Sequence, residues 1–162
     1  MKRLIGILLC MGLCLPLWSQ EATEQTAHIL FEGVEVKGDI YEFSEMLQKR
    51  GYKLERRDNN VRNFVFKGNI CGHPTQFMVS FTRHSKTVYR LMAQMKRVPL
   101  DVLVDSLTVR YGEPYDVTQK GYQWQSATGA VMLATPEGYD PTLVVMDGAG
   151  VAAFKEEENR QH

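Results

Sequence analysis

The chain has 162 residues, with 19 Lys and Arg against 19 Asp and Glu, and 44% of its residues are hydrophobic. This balanced charge argues against a nucleic-acid-binding protein, which normally carries a basic excess, and against a protein held at membranes by a polybasic segment. The length predicts a single domain that buries its own core without disulfides.

The first nineteen residues have the pattern of a cleavable signal peptide. Lys2 and Arg3 form a positive n-region, and the stretch 4–17 that follows is uncharged and apolar. This stretch is shorter than the ~20 apolar residues of a membrane-spanning helix, so a retained anchor is the less favoured alternative. Cleavage after Ser19 would leave Gln20 as the new N-terminus. We therefore expect an exported protein, located in the periplasm or outside the cell.

Removal of residues 1–19 changes the charge and the cysteine content of the chain. It leaves 17 Lys and Arg against 19 Asp and Glu, a net charge of −2, so no strong electrostatic partner is predicted. Cys10 and Cys14 each follow a leucine, whereas a lipoprotein signal requires a small residue before its modified cysteine. Soluble export is thus favoured over a lipid anchor. Cys71 would remain alone, which excludes an internal disulfide.

The mature chain is predicted to have three parts. A polar leader covers 20–27 and a single domain covers 28–155. The remaining residues, 156–162, are expected to form an exposed acidic and polar tail that contains three consecutive glutamates.

The domain begins with one predicted strand and one predicted helix. Apolar and charged residues alternate toward the end of 28–36, which favours a strand. Asp39 followed by Glu42 resembles a capping box, and apolar residues then recur at helical spacing as far as Gly51. We expect a helix over 40–50.

The next part of the chain predicts a meander of antiparallel strands. From Tyr52 onward, apolar and polar residues alternate with a period of two for about forty residues. Turn residues interrupt this pattern at 58–60, 72–74 and 83–86, where the strands are expected to reverse.

A second helix and three further strands complete the prediction. The helix follows Pro99 and ends at Gly112, and the strands contain residues 122–124, 131–133 and 143–146. The fold class is therefore α+β, with two helices packed on an antiparallel sheet. The order of elements leaves open a tandem duplication of a helix-plus-three-strand unit.

One short pattern in this region carries a resemblance. The helix ends in Tyr111-Gly112-Glu113-Pro114, and a strand with Trp124 and a turn at Gly129 follow. In these features the chain resembles small uncharacterised exported bacterial proteins, and its layout is similar to the outer-membrane assembly lipoproteins of the SmpA type and to the units of β-lactamase inhibitory protein. The resemblance implies an interaction module. The chain departs from it in lacking a suitable lipid-attachment cysteine and the inhibitor's disulfides, so no functional residue is carried over.

The sequence offers one candidate for nucleophilic catalysis. Cys71 and His73 lie close together, and a thiol beside an imidazole can form an activated nucleophile, with His84 as the alternative base. The favoured interpretation is a buried, inert thiol at a turn, because no third orienting residue is evident.

The sequence predicts neither a metal site nor a cofactor. His28, His73, His84 and His162 are widely spaced and are not paired with cysteines or carboxylates in a ligand pattern. The glycines do not follow the spacing of phosphate-binding loops.

The first functional hypothesis is a non-enzymatic module that binds a protein or an envelope component through its sheet face. Aromatic residues of the sheet could anchor a partner, although they are more readily explained as packing beneath the helices. The candidate binding residues are Arg62, Arg83, Arg90, Tyr122, Gln123 and Trp124.

Two alternatives remain open: a small hydrolase dependent on Cys71, and a carrier of a small apolar ligand. The carrier would hold its ligand between the helices and the sheet, with methionines as an adaptable lining. Its candidate residues are Met46, Met78, Met92 and Met132.

Overall fold

The computed structural model describes residues 28–160, so the predicted signal peptide and leader, and the last two residues, lie outside the described residues. Within residues 28–160 the chain forms three helices and ten strands. The α+β class is confirmed. The prediction of two helices is wrong, because a third helix occupies the C-terminal end of the described chain.

The first part of the chain contains a small hairpin, a helix and a four-stranded meander. Their bounds are β1 Leu30–Phe31, β2 Val34–Glu35, α1 Ile40–Lys49, β3 Lys53–Asp58, β4 Asn63–Ile70, β5 His73–Phe81 and β6 Val88–Gln94. The single strand expected over 28–36 is thus two short antiparallel strands, since the backbone reverses at Glu32 and Gly33, which have φ values of 48° and 76°.

The second part repeats the order of a helix and a four-stranded meander and then adds a helix. The bounds are α2 Leu100–Tyr111, β7 Asp116–Thr118, β8 Gly121–Ser126, β9 Gly129–Ala134, β10 Thr142–Asp147 and α3 Gly148–Asn159. The short strand β7 was not expected, so this part has four strands where three were predicted. The similar order does not show a duplication, which stays a prediction.

Helix α1 forms where its sequence signals predict it. The Asp39 carboxylate accepts a hydrogen bond of 2.7 Å from the Tyr41 amide and so caps the first turn. Ile40, Phe43 and Leu47 bury one face of the helix. Helix α1 ends before Gly51, whose φ of 91° favours a residue without a Cβ.

The two meanders join into one eight-stranded sheet through their last strands. The strand order is β3-β4-β5-β6-β10-β9-β8-β7, and each neighbouring pair is antiparallel. Strands β6 and β10 therefore occupy the centre, and β3 and β7 form the two edges.

One face of this sheet, here called the core face, packs against α1 and α2. Its buried side chains alternate along the strands and form one cluster with apolar residues of both helices. The strand members are Phe64, Phe66, Phe77, Val79, Phe81, Leu91, Trp124, Val131, Leu133, Leu143 and Val145. The side chains between them point to the opposite face, here called the outer face.

Helix α3 runs along one end of the sheet and corrects the expectation of an exposed tail. It begins at Asp147, whose side chain accepts a hydrogen bond of 2.9 Å from the Gly150 amide. Phe154 stacks on Tyr89 at the start of β6, with ring centroids 4.6 Å apart. Glu157 is only 8% exposed. No helix within residues 28–160 is long and apolar enough to cross a membrane.

Candidate functional site

Five apolar side chains form a continuous row across the outer face. Strand pairing places Val65 opposite Met78, Met78 opposite Met92, Met92 opposite Val144, and Val144 opposite Met132. We call these five residues the outer row. With strands ~4.8 Å apart, the row spans about 19 Å of the sheet.

The outer row lies on the side of the sheet that faces away from α1 and α2. Val65 and Val144 are only 9% and 8% exposed, yet neither belongs to the core cluster. Met78, Met92 and Met132 are half-buried. The accessible apolar surface of the row therefore comes mainly from the three methionines, whose side chains adapt their shape to what they contact.

One end of the outer row has a basic rim. Arg56 pairs with Val65 across β3 and β4, and Lys53 pairs with Lys67, so all three cations lie on the outer face. The Gln76 amide donates a hydrogen bond of 2.5 Å to the Glu55 carboxylate. Beside these side chains is an open cavity of about 380 Å³, lined by Glu55, Arg56, Val65, Gln76, Phe77, Met78 and Met92.

The six predicted binding residues occupy three different places. Trp124 is 2% exposed on the core face, and its indole Nε1 donates a hydrogen bond of 2.8 Å to the Gly112 carbonyl. Tyr122 packs on the same face, with its ring 6.2 Å from that of Trp124. These two aromatic residues therefore pack beneath a helix, as the favoured interpretation held. Gln123 and Arg90 lie on the outer face, opposite Met132 and Met146.

Arg62 and Arg83, the other two predicted residues, meet at one end of the sheet. Arg62 ends the β3–β4 turn, and Arg83 lies in the β5–β6 turn. The space between the two turns has a volume of about 510 Å³, and we call it the basic cleft. It is lined by Asn59, Asn60, Arg62, Arg83, His84 and Lys86.

The Cys71 thiol lacks the surroundings of an activated nucleophile. Burial raises its pKa, and this effect together with the nearby Glu32 carboxylate outweighs the opposing charge of Arg110. Within the described chain no hydrogen bond joins Cys71 to His73. His84 lies beyond the far end of β5, a strand of nine residues that spans roughly 27 Å.

The polar groups near Cys71 hold the structure together. The Glu32 carboxylate accepts a hydrogen bond of 2.9 Å from the Cys71 amide and pairs with the Arg110 guanidinium. Burial and the Glu32 charge also raise the pKa of Tyr52 to about 12. These contacts tie the β1–β2 hairpin to α2 and to the β4–β5 turn.

The four methionines proposed for a ligand carrier do not line one cavity. Met46 packs against the core cluster from α1, whereas the other three belong to the outer row. A mainly apolar cavity of about 250 Å³ has a lining that includes His28, Tyr111, Trp124 and Val131 but none of the four methionines.

His28 and Asp147 form a contact that the sequence did not predict. The His28 Nδ1 atom lies 3.2 Å from both carboxylate oxygens of Asp147, and the Ile29 amide donates to the same carboxylate at 3.2 Å. Asp147 also caps α3, so its carboxylate fixes the N-terminal end of the described chain to the start of that helix. The sequence shows only an Asp-Gly pair at 147–148, and such a pair predicts a turn rather than a contact with a distant residue. The residues described contain no group of three or more side chains suited to hold a metal ion.

Comparison of the chain with protein-family models, with curated proteins and with solved structures finds no match. The resemblance in layout to SmpA-type lipoproteins and to β-lactamase inhibitory protein therefore stays a prediction.

Proposed function

We propose that this protein is an exported, non-enzymatic binding module that holds a polypeptide segment of another protein on its outer face. The observation that carries the proposal is the outer row, an apolar stripe across five strands on the side of the sheet away from α1 and α2. Export rests on the charged and apolar pattern of residues 2–17.

The dimensions and charge of this surface define the partner. A row of about 19 Å can be covered by roughly six residues of extended chain, because each residue advances ~3.3 Å. Lys53, Arg56 and Lys67 are exposed at one end of the row, and Glu55 there is hydrogen-bonded to Gln76. A segment with apolar side chains and a carboxylate-rich flank complements both features.

The absence of an activated thiol at Cys71 favours binding over hydrolysis. The division of the methionines between the two sides of the sheet likewise weighs against a carrier whose ligand lies between the helices and the sheet.

A peptide selection with paired variants tests the proposal. Random displayed peptides are selected on residues 20–162, and the affinity of the enriched peptides is then measured for the wild type, for Met92→Glu with Met132→Glu, and for Val109→Glu with Tyr139→Glu. The last pair adds the same charge at positions that are 88% and 75% exposed and lie outside the row.

We expect the enriched peptides to combine apolar residues with Asp or Glu. We also expect them to lose about tenfold or more in affinity for the Met92 and Met132 variant, and to bind more weakly as salt screens the basic rim. Equal binding to both variants would refute the outer row as the site. A wild type that sediments as a dimer, with the methionine variant as a monomer, would assign the row to a second copy of this chain instead.

Export is tested separately by sequencing the N-terminus of the protein recovered from expressing cells. The expected first residue is Gln20. A protein in the cytoplasmic fraction that retains the whole segment 1–19 would contradict export while leaving the binding proposal in place.

A further inference from the structure

A second surface of the chain has a chemistry unlike that of the outer row. The basic cleft lies at the end of the sheet, between the β3–β4 and β5–β6 turns, and its lining is polar throughout. We propose that it binds a ligand carrying neighbouring phosphate or sulfate groups. This inference is independent of the outer row and of its partner.

The two turns that form the cleft are tied to each other and to the rest of the fold. The Phe81 amide donates a hydrogen bond of 3.2 Å to the Arg62 carbonyl, which links the end of β5 to the β3–β4 turn. The Ile40 amide donates one of 3.0 Å to the Lys86 carbonyl, which links the β5–β6 turn to the start of α1. The side chains that face the cleft therefore project from a rigid frame.

Both basic residues at the ends of these turns have left-handed backbones. The φ values of Arg62 and Lys86 are 58° and 57°, a region that glycine or asparagine adopts at lower cost. A long basic side chain at each of these positions is not required by the turn itself. Both side chains line the cleft, and the Lys86 ammonium lies over the Phe81 ring, 5.6 Å from its centroid.

Glu157, the carboxylate closest to the β5–β6 turn, forms no ion pair with these cations in the described part of the chain. It accepts hydrogen bonds from the His84 amide at 2.9 Å and from the Ser85 amide and hydroxyl at 2.8 Å each. Its oxygens are thus directed at the backbone of the turn, which they hold in place. A ligand in the cleft then meets the side chains of Arg83 and His84 rather than this carboxylate.

The side chains that line the cleft are basic or neutral. Arg62 approaches Glu158 at 3.6 Å, but both side chains are at least one third exposed, so the pair is weak. Arg83 and Lys86 form no ion pair within residues 28–160. The cleft is thus lined by two arginines and one lysine. Of the carboxylates at the two turns, Glu158 is loosely paired with Arg62, whereas Asp58 and Glu157 accept hydrogen bonds from turn amides.

This set of donors suits an oxyanion. Guanidinium groups bind phosphate and sulfate oxygens in a bidentate fashion, an ammonium adds a point charge, and the amides of Asn59 and Asn60 supply neutral donors. Arg62 lies on one turn and Arg83 and Lys86 on the other, so a ligand with two neighbouring anionic groups can contact both sides of the cleft, which a single ion cannot do as readily. The ligand is either a soluble molecule or a lipid headgroup, since both present the same oxygens.

The test uses the chain of residues 20–162 with inorganic pyrophosphate, orthophosphate, and vesicles that contain phosphatidylglycerol. Binding is measured by calorimetry, by amide chemical shifts and by vesicle sedimentation. The test variant is Arg83→Gln with Lys86→Gln. The matched control is Lys96→Gln with Lys120→Gln, which removes the same charge at exposed positions outside the cleft.

We expect pyrophosphate to bind more tightly than orthophosphate and to shift the amide signals of residues 59–62 and 83–86. The test variant should lose about tenfold or more in affinity and the control less than about twofold. If only vesicles bind, and only through the cleft residues, the source is a lipid headgroup. Unchanged shifts at the cleft with all three probes, or equal losses in both variants, would overturn the proposal. Arg83→Gln alone serves as the second variant if the double substitution lowers the melting temperature.

Discussion

Gly68 in β4 makes room for the ring of Tyr52, and its replacement by alanine should destabilise the fold. A Cβ at position 68 would lie 2.2 Å from Cδ1 and 2.7 Å from Cε1 of Tyr52. The φ of Gly68 is not in the left-handed region, so alanine is acceptable to the backbone and the steric conflict with the ring is the dominant effect.

The size of this destabilisation follows from the contacts that the Tyr52 ring would lose if it moved away from the new methyl group. The Tyr52 hydroxyl donates a hydrogen bond of 3.1 Å to the Asn69 carbonyl, worth about 1 kcal/mol. The ring also packs edge-on against Phe77, with centroids 5.4 Å apart, which contributes about 1 kcal/mol beyond its burial. If the ring stays, overpacking costs ~1–3 kcal/mol instead. After an offset of about 0.5 kcal/mol for replacing glycine, Gly68→Ala should lower the free energy of unfolding by about 1.5 kcal/mol.

Urea denaturation of four proteins tests this reasoning: the wild type, Gly68→Ala, Tyr52→Ala and the double variant. Tyr52→Ala should be destabilised by ~3–5 kcal/mol because it removes a large buried ring. In that background, Gly68→Ala should be neutral or stabilising, since the new methyl group enters the space that the ring has left. A cost of less than about 0.5 kcal/mol in the wild-type background, or the same cost in both backgrounds, would refute a clash with Tyr52.

Two further predictions concern Glu157 and Cys71. Burial alone would raise the pKa of Glu157, but the hydrogen bonds from His84 and Ser85 lower it from 4.5 to about 2; its stabilising effect is therefore complete above pH 4.5 and is lost as the pH falls toward 2. Glu157→Gln should lower the free energy of unfolding by ~1–3 kcal/mol at neutral pH. The urea midpoint should also fall less steeply between pH 5 and pH 3 than in the wild type, because the variant lacks one carboxylate that takes up a proton on unfolding. Parallel acid profiles for both proteins would contradict this assignment. The raised thiol pKa and the burial of Cys71 should make its alkylation by iodoacetamide at least ~10 times slower in the folded protein than in urea. An equal or faster rate in the folded protein would return Cys71 to consideration as a nucleophile.

The elements that the sequence predicted well are those whose signals are local. Helix α1 has a capping side chain at Asp39, an apolar face and a closing glycine within thirteen residues, Asp39 to Gly51. Helix α2 follows Pro99 and ends before Gly112 as expected, and its buried residues include Leu103 and Leu107. The strands around Phe64 and Phe77 follow from the alternation of apolar and polar side chains alone.

Helix α3 was not predicted because its first turn contains glycines, which packing against the sheet requires but which lower the helix propensity of the segment. Gly148 and Gly150 lie in its first turn, where glycine disfavours a helix. A Cβ at position 150 would lie 2.2 Å from the Val88 carbonyl oxygen, so the helix can approach β6 this closely only with glycine there. Such a contact between distant parts of the chain leaves no periodic pattern to read.

The sequence predicted which side chains share a face within one strand, but it did not predict how the strands combine to form the candidate site. Alternation places Tyr122 and Trp124 on one face and Gln123 on the other, yet which face carries the helices depends on how the strands are ordered. The outer row depends on the pairing of Met92 with Val144, and these residues are brought together only by the junction of β6 with β10. That junction connects residues about fifty positions apart, a distance at which a single sequence contains no pairing signal.

The position of β10 has a consequence for how the chain is made. Strand β10 is the last of the ten to leave the ribosome, yet it occupies the middle of the sheet. Until residues 142–147 are available, β6 has an unpaired edge with apolar residues beside it, which is the kind of edge that recruits strands from other molecules. In the finished sheet the free edges are the charged strand β3 and the three-residue strand β7, and neither is a good template for such pairing. A chain interrupted shortly before residue 142 should therefore aggregate, even though it contains the whole of the first meander.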